Sequence, residues 1–363
     1  MLSSGYFLSS RFGLIVAAMT SQDSPPLSPS PGTSLSTLPE GKMRAVGRHH
    51  YGRVEDVRLI TVSLPRLRAD DVLVRVQAVS LNTSDVESAT GTPFYARIFG
   101  LFRPSFPVLG TDISGVVEAV GPKVTAFYPG DEVMGDIMGC NGGLAQLVAV
   151  KQELLLKKPK HLSFEEASCF LQAAAIAYQG IVESEKAQPG AQVLVIGGGG
   201  GSGSWAIQLA KHLGAQVTAV DNERKLALMQ ELGADQVIDY HKEAFTQLET
   251  RFDLILDLVG KYPLRDCVSS LAPKGKYFLV GGPMSSLFRV LLVGPFLAAQ
   301  GKKVRMLAVR TNGGVEEMLQ LHEQGKLRPI ISERFSLERA PEAITQLAAG
   351  RALGKLVVQL ASE

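Results

Sequence analysis

The sequence predicts an α/β protein of two domains, a β-rich domain followed by a doubly wound parallel sheet. Three observations support this prediction. The chain has 363 residues, about twice the length of a typical domain. Up to about residue 160, short runs of β-forming residues are separated by turn residues. From Pro189 onward, strand and helix patterns alternate, which is typical of a parallel sheet with helices on both faces.

The individual elements follow from the periodicity of apolar residues. In the first half, β-type runs occur at residues 72–76, 113–119 and 144–150. In the second half, strands are predicted at 192–196, 216–220, 237–239, 252–258 and 277–281, and helices at 204–213 and 222–232. The last 50 residues predict helices at 314–324 and 340–349 and strands at 329–336 and 355–360.

Composition excludes several classes of protein. The 37 basic and 35 acidic residues leave a net charge of +2, which offers no basic surplus for binding nucleic acid. Cysteine is scarce, with only Cys140, Cys169 and Cys267, so a disulfide scaffold and a zinc knuckle are both excluded.

Residues 1–42 differ from the rest and are predicted to be a disordered or targeting tail. Positions 20–39 are rich in Ser, Thr and Pro, which is typical of disorder. The first 22 residues carry Arg11 and no acidic residue, which weakly resembles a targeting peptide. The protein is therefore expected in the cytoplasm if the tail is untargeted, or in a mitochondrion or plastid if it is a transit peptide.

A glycine-rich loop at residues 196–203 follows a predicted strand and opens a predicted helix. It contains GxGxxG, whose glycines permit a tight turn and close approach of a pyrophosphate to the backbone at the helix N-terminus. The alternative is a flexible glycine linker. The residues expected to contact a dinucleotide here are Gly198, Gly200, Gly201, Ser202 and Gly203.

Asp221 lies 18 residues after Gly203, at the end of the next predicted strand. An acid at this position typically accepts a hydrogen bond from the ribose 2′-hydroxyl, which favours NADH. Arg224 and Lys225 follow directly and could instead hold the 2′-phosphate of NADPH. The sequence leaves this choice open, and the alternative for Asp221 is an ordinary turn residue.

Several segments are shared with one family: 110–115 (GTDISG), 129–133 (PGDEV), 142–150 (GGLAQLVAV), 232–239 (LGADQVID), 253–260 (DLILDLVG) and Gly354-Lys355. On these segments, residues 43–360 resemble the medium-chain dehydrogenase/reductase superfamily, in its zinc-free quinone oxidoreductase and enone reductase branch. Segment 96–109 is similar to the chloroplast-envelope quinone oxidoreductase homologues.

The resemblance implies a GroES-like β-rich catalytic domain interrupted by a Rossmann domain. The implied limits are 43–165 for the catalytic domain, 166–305 for the Rossmann domain and 306–363 for a return to the catalytic domain. The family also implies a homodimer and leans toward NADPH.

The resemblance further implies that no catalytic zinc is bound. Asn82 and Thr111 stand where zinc-dependent relatives have a cysteine and a histidine ligand. Asn and Thr are poor zinc ligands. His49 and His50 are adjacent, and neighbouring residues on a strand face opposite ways, so they are not expected to form a metal site.

A reductase without a Lewis acid is expected to act on a quinone or an α,β-unsaturated carbonyl, with hydrogen-bond donors stabilising the developing enolate or phenolate. The candidate catalytic donors are Asn82, Tyr95 and Thr111. For Asn82 the alternative is a turn cap before Asp85, and for Tyr95 it is packing at the rim.

Other cofactor contacts are carried over from the family by position. Lys225 and Tyr240 correspond to residues near the adenosine end, and Leu258, Gly260 and Gly281 to residues beside the nicotinamide. Ile176 replaces a threonine that is frequent in the family, which removes one possible hydroxyl contact.

An apolar run at 287–299 is too short to span a bilayer. It could cover the substrate cleft, form a dimer surface or make peripheral contact with a membrane. Two functions remain open for the whole chain: an NAD(P)H-dependent quinone or enone reductase, and a non-catalytic nucleotide-binding protein with a structural or regulatory role.

Overall fold

The computed structural model describes residues 41–98, 100–299 and 301–360. The predicted tail lies outside the described residues except for positions 41 and 42, and its role stays a prediction. The described residues form one seven-stranded sheet, one six-stranded sheet and a separate pair of strands. The predicted α/β class, with a β-rich domain and a doubly wound parallel sheet, is confirmed.

The elements in chain order are as follows. The first part contains β1 Lys42–Gly47, β2 Arg58–Ser63, β3 Asp71–Ser80, α1 Thr83–Thr90, β4 Asp112–Val120, β5 Glu132–Asp136, β6 Leu147–Lys151, β7 Leu156–Lys157, α2 Phe164–Cys169 and α3 Gln172–Ile181. The middle part contains β8 Gln192–Ile196, α4 Gly201–His212, β9 Gln216–Asp221, α5 Leu226–Glu231, β10 Gln236–Asp239, β11 Phe252–Asp257, α6 Leu264–Ser269, β12 Leu271–Leu279, α7 Met284–Ala299 and β13 Lys303–Met306. The last part contains α8 Val315–Glu323, β14 Ile331–Ser336, α9 Ala340–Ala348 and β15 Lys355–Gln359.

The C-terminal strands belong to the first sheet, whose order is β14-β15-β3-β4-β5-β7 with β6 also paired to β3. β15 runs antiparallel to β3, with Val357 opposite Ser80. The chain therefore leaves the first domain, builds the parallel sheet and returns. The exact domain limits at 165 and 305 stay predictions.

The second sheet has the order β10-β9-β8-β11-β12-β13, and all its neighbours are parallel. The chain starts at β8 in the centre, builds outward to β10 and then crosses to β11. This reversal leaves a crevice at the carboxyl ends of β8 and β11, the position where open α/β sheets bind ligands.

Several predicted bounds differ from the observed ones, and three of these differences have clear local reasons. α4 begins at Gly201 rather than 204, because the last glycines of the loop already adopt helical geometry. The predicted helix at 222–232 is divided into a 3-10 turn at Glu223–Lys225 and the shorter α5. The strand predicted at 277–281 ends at Leu279, because Gly281 and Gly282 have φ angles of +105° and +114°.

The parallel sheet is fixed to the rest of the molecule by the aromatic core under α4. Trp205 of α4 is 1% exposed, and its ring lies 4.8 Å from that of Phe170. Its indole N–H donates to the carbonyl oxygen of Cys169 at 3.2 Å. These contacts bury a large aromatic surface and hold the helix that carries the glycine loop against the segment between α2 and α3.

Three aspartates are buried where the first sheet meets the second. Asp85 and Asp112 are fully buried, and Asp136 is 5% exposed. Burial raises the pKa of Asp136 to about 7, with a further contribution from the charge of Asp112. Burial likewise raises the pKa of Asp85 to about 6. The folded state therefore holds these protons more tightly than the unfolded chain does.

The substitution Asp136→Asn is expected to remove part of the pH dependence of stability. The unfolded-state pKa of aspartate is about 3.9, below the folded value, so the wild-type free energy of unfolding falls as pH rises from about 4 to 7. For one group this slope is at most about 1.4 kcal/mol per pH unit. The variant keeps an acceptor for the Met138 N–H but cannot ionise, so it lacks this slope.

Urea unfolding followed by circular dichroism between pH 4.5 and 8 measures the effect. The stability of the variant relative to wild type should increase up to about pH 7 and then stay constant. The exposed Glu243→Gln serves as the control and should run parallel to wild type. If the curve of stability against pH for Asp136→Asn also ran parallel to that of wild type, this would contradict the raised pKa of Asp136.

Candidate active site at the junction of the two sheets

The glycine loop, residues 197–203, joins the end of β8 to the first turn of α4. Gly197 has a φ of +89°, which favours glycine. A Cβ on Gly203 would lie 2.1 Å from the Gly197 carbonyl oxygen, and one on Gly198 would lie 2.7 Å from Met229 Sδ. Glycine is therefore required for the turn and for close packing of the helix on the sheet.

The first turn of α4 holds the other predicted contacts of the loop. Gly200 precedes the helix, and a Cβ there would meet only the Gly197 oxygen, at 3.5 Å. The N–H groups of Gly201 and Ser202 lie in the first turn, where a helix offers unpaired donors and the positive end of its dipole. This backbone geometry fits the pyrophosphate of a dinucleotide.

Asp221, at the end of β9, is bonded to the chain itself. One carboxylate oxygen accepts from the Gly199 N–H at 3.0 Å, and the other accepts from the Asn222 N–H at 2.9 Å. Lys225 Nζ lies 3.4 Å from the carboxylate, and both side chains are nearly buried. Asp221 thus shapes the glycine loop directly, and its predicted role at the ribose stays a prediction.

A cavity of about 550 Å³ opens beyond Asp221. Tyr240, which is 47% exposed, lines it, and its ring is tilted by 44° to that of His241 with centroids 4.3 Å apart. Three cationic side chains, Arg224, Lys242 and Arg351, and two acidic ones, Glu223 and Asp239, also line it. The cavity therefore combines an aromatic face with charged side chains, of which the basic ones are in slight excess.

The predicted nicotinamide-side residues lie on two adjacent loops after β11 and β12. Asp257 accepts hydrogen bonds from the N–H groups of Val259 and Gly260 at 2.9 and 2.8 Å. The Leu258 N–H donates to the carbonyl oxygen of Ile196 at the start of the glycine loop, at 3.1 Å. A Cβ on Gly260 would lie 2.8 Å from the Gly281 oxygen, so the two loops touch.

Tyr95 joins the first domain to these loops. Its hydroxyl lies 3.7 Å from where a Cβ on Gly281 would be, and it donates to Glu87 Oε1 at 2.7 Å. Burial raises the pKa of Tyr95, and the neighbouring Glu87 raises it further. Burial also raises the pKa of Glu87. The Tyr95 hydroxyl is therefore fixed in position by a hydrogen bond, and its raised pKa makes it a poor proton donor.

Asn82 and Thr111 come together at the bottom of the junction. Asn82 Nδ2 lies 3.4 Å from Thr111 Oγ1, although the two residues are 29 positions apart in the chain. Asn82 occupies the N-cap position of α1, where its backbone N–H donates to Asp85 Oδ2 at 2.8 Å in a capping box. The Asn82 Oδ1 accepts from Lys355 Nζ at 2.5 Å.

Three residues of this site were not predicted from the sequence: Glu87, Lys355 and Arg351. Lys355 belongs to the Gly354-Lys355 pair that supports the family resemblance, so a signal was present. The sequence contains no sign that this lysine is buried. Glu87 belongs to a polar stretch that resembles ordinary surface, and Arg351 is an isolated charged residue among small and apolar ones.

The expectation that no catalytic zinc is bound concerns the region around Asn82 and Thr111. Within the described ranges, no group of three or more His, Cys, Asp or Glu side chains could hold a metal ion. His49 and His50 are both exposed and follow the end of β1 rather than lying on it. The expectation that they lie on a strand is therefore wrong, because β1 ends at Gly47.

The apolar run at 287–299 lies within α7. Exposed apolar side chains cover one side of this helix: Phe288, Leu291, Leu292, Val293 and Phe296, between 40% and 75% exposed. The helix lies beside β13, the last strand of the parallel sheet. In the part of the chain that the structure describes, no helix has the length and apolar character needed to cross a bilayer.

Comparison with known families agrees with this architecture. Residues 68–160 match the family described as alcohol dehydrogenase GroES-like domain. Residues 170–259 match the alanine dehydrogenase/PNT C-terminal domain. Residues 232–358 match a family described as zinc-binding dehydrogenase.

Individual relatives cover almost the whole chain. The 2-methylene-furan-3-one reductase of Solanum lycopersicum is 34% identical over 96% of this chain and 87% of its own. The chloroplastic NADPH-dependent alkenal/one oxidoreductase of Arabidopsis thaliana is 32% identical over 90% and 81%. The structure of the quinone oxidoreductase from Coxiella burnetii, 30% identical, superposes with a TM-score of 0.80 and covers 88% of this chain and all of that one. The chain therefore belongs to the medium-chain dehydrogenase/reductase superfamily, in the branch that contains the quinone and enone oxidoreductases.

Proposed function

We propose that this protein is an NAD(P)H-dependent reductase that transfers hydride to a quinone or to the β-carbon of an α,β-unsaturated carbonyl. One observation carries the proposal. The glycine loop and the polar side chains of Asn82, Thr111 and Tyr95 converge on a single junction between the two sheets. The names of the Solanum and Arabidopsis relatives support the same class of acceptor.

The residues of the chain take distinct roles in this proposal. The first turn of α4 binds the pyrophosphate, and the loops at 258–260 and 281–282 form the wall beside the nicotinamide. When bound, the cofactor supplies the hydride. Asn82 and Thr111 donate hydrogen bonds to the acceptor oxygen as negative charge develops on it. Water supplies the proton that completes the reduction.

Tyr95 keeps the wall of the cleft in position through its hydrogen bond to Glu87. Because its pKa is raised, it contributes a hydrogen bond rather than a proton. The same turn exposes Phe94 and Ile98, which are 62% and 66% exposed. This apolar rim suits an acceptor with a hydrocarbon part.

We propose NADPH as the preferred cofactor. Four donors already contact the Asp221 carboxylate, namely the Gly199 N–H, the Asn222 N–H and side-chain amide, and the Lys225 ammonium, which leaves little capacity for a ribose hydroxyl. In the cavity beyond it, Lys242 pairs with Glu223 at 2.7 Å, whereas neither Arg224 nor Arg351 makes an ion pair within the described ranges. Guanidinium groups bind phosphate with paired, charge-assisted hydrogen bonds, so this cavity suits the 2′-phosphate.

We also propose a homodimer formed through α7 and β13. β13 lies at one end of the parallel sheet, so the same strand of a second copy could pair with it. The apolar face of α7 beside it is larger than the scattered apolar residues of an ordinary surface. A dimer about a two-fold axis would cover both features at once. Peripheral membrane contact through the same face is the competing proposal.

The reductase activity is tested with a panel of quinones and α,β-unsaturated aldehydes and ketones, using NADPH and NADH. Turnover is expected with at least one conjugated acceptor. Asn82→Ala and Thr111→Val should each lower kcat about a hundredfold, because each removes a donor to the developing charge. The exposed Thr246→Val is the control and should leave kcat unchanged. Cofactor binding without turnover of any acceptor would favour the non-catalytic alternative.

The cofactor preference is tested with Arg224→Ala and Arg351→Ala. Loss of one charge-assisted hydrogen bond costs about 1.5–3 kcal/mol, so each variant should raise the KM for NADPH at least about tenfold. The KM for NADH should change little. Arg265→Ala is the matched control, since that side chain is 88% exposed on α6. An equal loss for both cofactors would show that the cavity does not recognise the 2′-phosphate.

The dimer is tested by sedimentation velocity on the wild type and on Leu292→Asp. Leu292 is 70% exposed, so the change should leave the subunit folded while placing a charge in the apolar contact. Conversion from dimer to monomer is expected. The control is Tyr128→Asp, at a 67% exposed position of the first domain. A monomeric wild type that floats with liposomes would contradict the dimer and favour the membrane alternative.

A further inference from the structure

Lys355 is a buried lysine that enters the site from the opposite end of the chain. It is the first residue of β15 and is only 2% exposed. The preceding Gly354 donates its N–H to the Gly199 oxygen at 2.9 Å, which ties β15 to the glycine loop. A Cβ on Gly201 would lie 2.8 Å from Lys355 Cδ, so the lysine stem passes directly beside the first turn of α4.

The ammonium group of Lys355 ends among polar groups of the first domain. Nζ lies 2.5 Å from Asn82 Oδ1 and 3.6 Å from Asp112 Oδ2. Asp112 is fully buried and accepts from the Gln172 N–H at 3.3 Å and from the Ser80 hydroxyl at 3.4 Å. A buried ammonium requires a charged partner and hydrogen bonds, and here Asp112 supplies the charge and Asn82 an acceptor.

This arrangement determines the orientation of the Asn82 side chain. An ammonium group can only donate hydrogen bonds, so the Asn82 atom that faces it must be the amide oxygen. Nδ2 then points toward Thr111 Oγ1 at 3.4 Å, and the Asn82 side chain also hydrogen-bonds to the carboxylate of Asp112. A positive charge on the oxygen side also polarises the amide, which makes its N–H groups better donors.

We propose that Lys355 is a positioning residue for the reaction, which fixes and polarises the Asn82 carboxamide so that its N–H can stabilise negative charge on the acceptor oxygen. This inference rests on the proposed reductase function. Lys355 makes and breaks no covalent bond, and its proton stays on Nζ. Its contribution is to prevent rotation of the amide, which would otherwise present an oxygen lone pair to the developing negative charge.

A double-mutant cycle tests the proposal. Lys355→Met removes the charge but keeps an apolar stem of similar length beside Gly201. It should lower kcat to within about threefold of the Asn82→Ala value. The double variant should be no slower than Asn82→Ala by more than about threefold, because Lys355 acts through Asn82. A double variant whose loss equals the product of the two single losses would overturn the proposal.

Measurement of cofactor binding distinguishes the proposed positioning role of Lys355 from a direct contact between Lys355 and a cofactor phosphate. Trp205 is the only tryptophan in the chain, so quenching of its fluorescence reports NADPH binding. Lys355→Met should change the NADPH Kd less than threefold. A tenfold weaker Kd with kcat unchanged would show that Lys355 binds the cofactor and does not position Asn82. Lys157→Met, at a 66% exposed lysine of β7, is the control.

Two further measurements keep the test decisive. Lys355→Gln retains an N–H donor toward Asn82 without the charge, and it should recover about tenfold of the kcat lost in Lys355→Met. If the methionine variant does not fold, Lys355→Gln replaces it in the double-mutant cycle. The Asn82 side-chain amide signals in a 15N–1H spectrum, assigned by their loss in Asn82→Ala, should shift in Lys355→Gln and stay in place in Lys157→Met. Unshifted signals would overturn the inference. This result is independent of turnover, whereas a wild type without turnover would contradict only the reductase proposal.

Discussion

The hydrogen bond between the Gly354 N–H and the Gly199 oxygen, 2.9 Å long, is the contact on which the site depends. It joins the last strand of the first domain to the loop that begins the second. Gly354 has a φ of +69°, and a Cβ there would lie 2.5 Å from the Ile330 oxygen, so this approach is possible only for glycine. Because the bond fixes the glycine loop relative to β15, it also fixes the position of the first turn of α4 relative to the polar groups carried by the first sheet.

The charge balance of the junction follows from this contact. β15 brings one ammonium group, that of Lys355, into a region that already contains Asp85, Asp112 and Asp136. One cation cannot stabilise three buried carboxylates, and burial accordingly raises the pKa of each of the three acids. Lys355 and Asp112 form the ion pair at this point, and the raised pKa values of Asp85 and Asp136 reduce the negative charge around that pair as pH falls below about 7.

Features that depend on neighbouring residues were predicted correctly from the sequence. Contacts that form only when the chain returns to the first domain were not predicted. The strand Gln192–Ile196 and the glycine turn follow from local apolar pattern and backbone sterics, so their positions were correct. Asn82 and Thr111 were identified through family resemblance, but their contact across 29 residues was not readable from spacing. Lys355 acts on Asn82 from 273 residues away, and no local pattern distinguishes it from a surface lysine. The roles of these residues remain proposals, whereas the fold class is established.

Asp221 illustrates why residue type and position do not determine cofactor choice. A carboxylate at the end of β9 is usually taken to select NADH, since it can accept from both ribose hydroxyls. That inference assumes that its lone pairs are available. Here one carboxylate oxygen accepts a hydrogen bond from the Gly199 N–H and the other accepts one from the Asn222 N–H. Lys225 Nζ lies 3.4 Å from the same carboxylate. The acid is thereby part of the loop structure, and the cavity beyond it carries the positive charge of Arg224 and Arg351. The proposed preference for NADPH therefore rests on which acceptors of Asp221 the fold has already used, a property that only the three-dimensional contacts reveal.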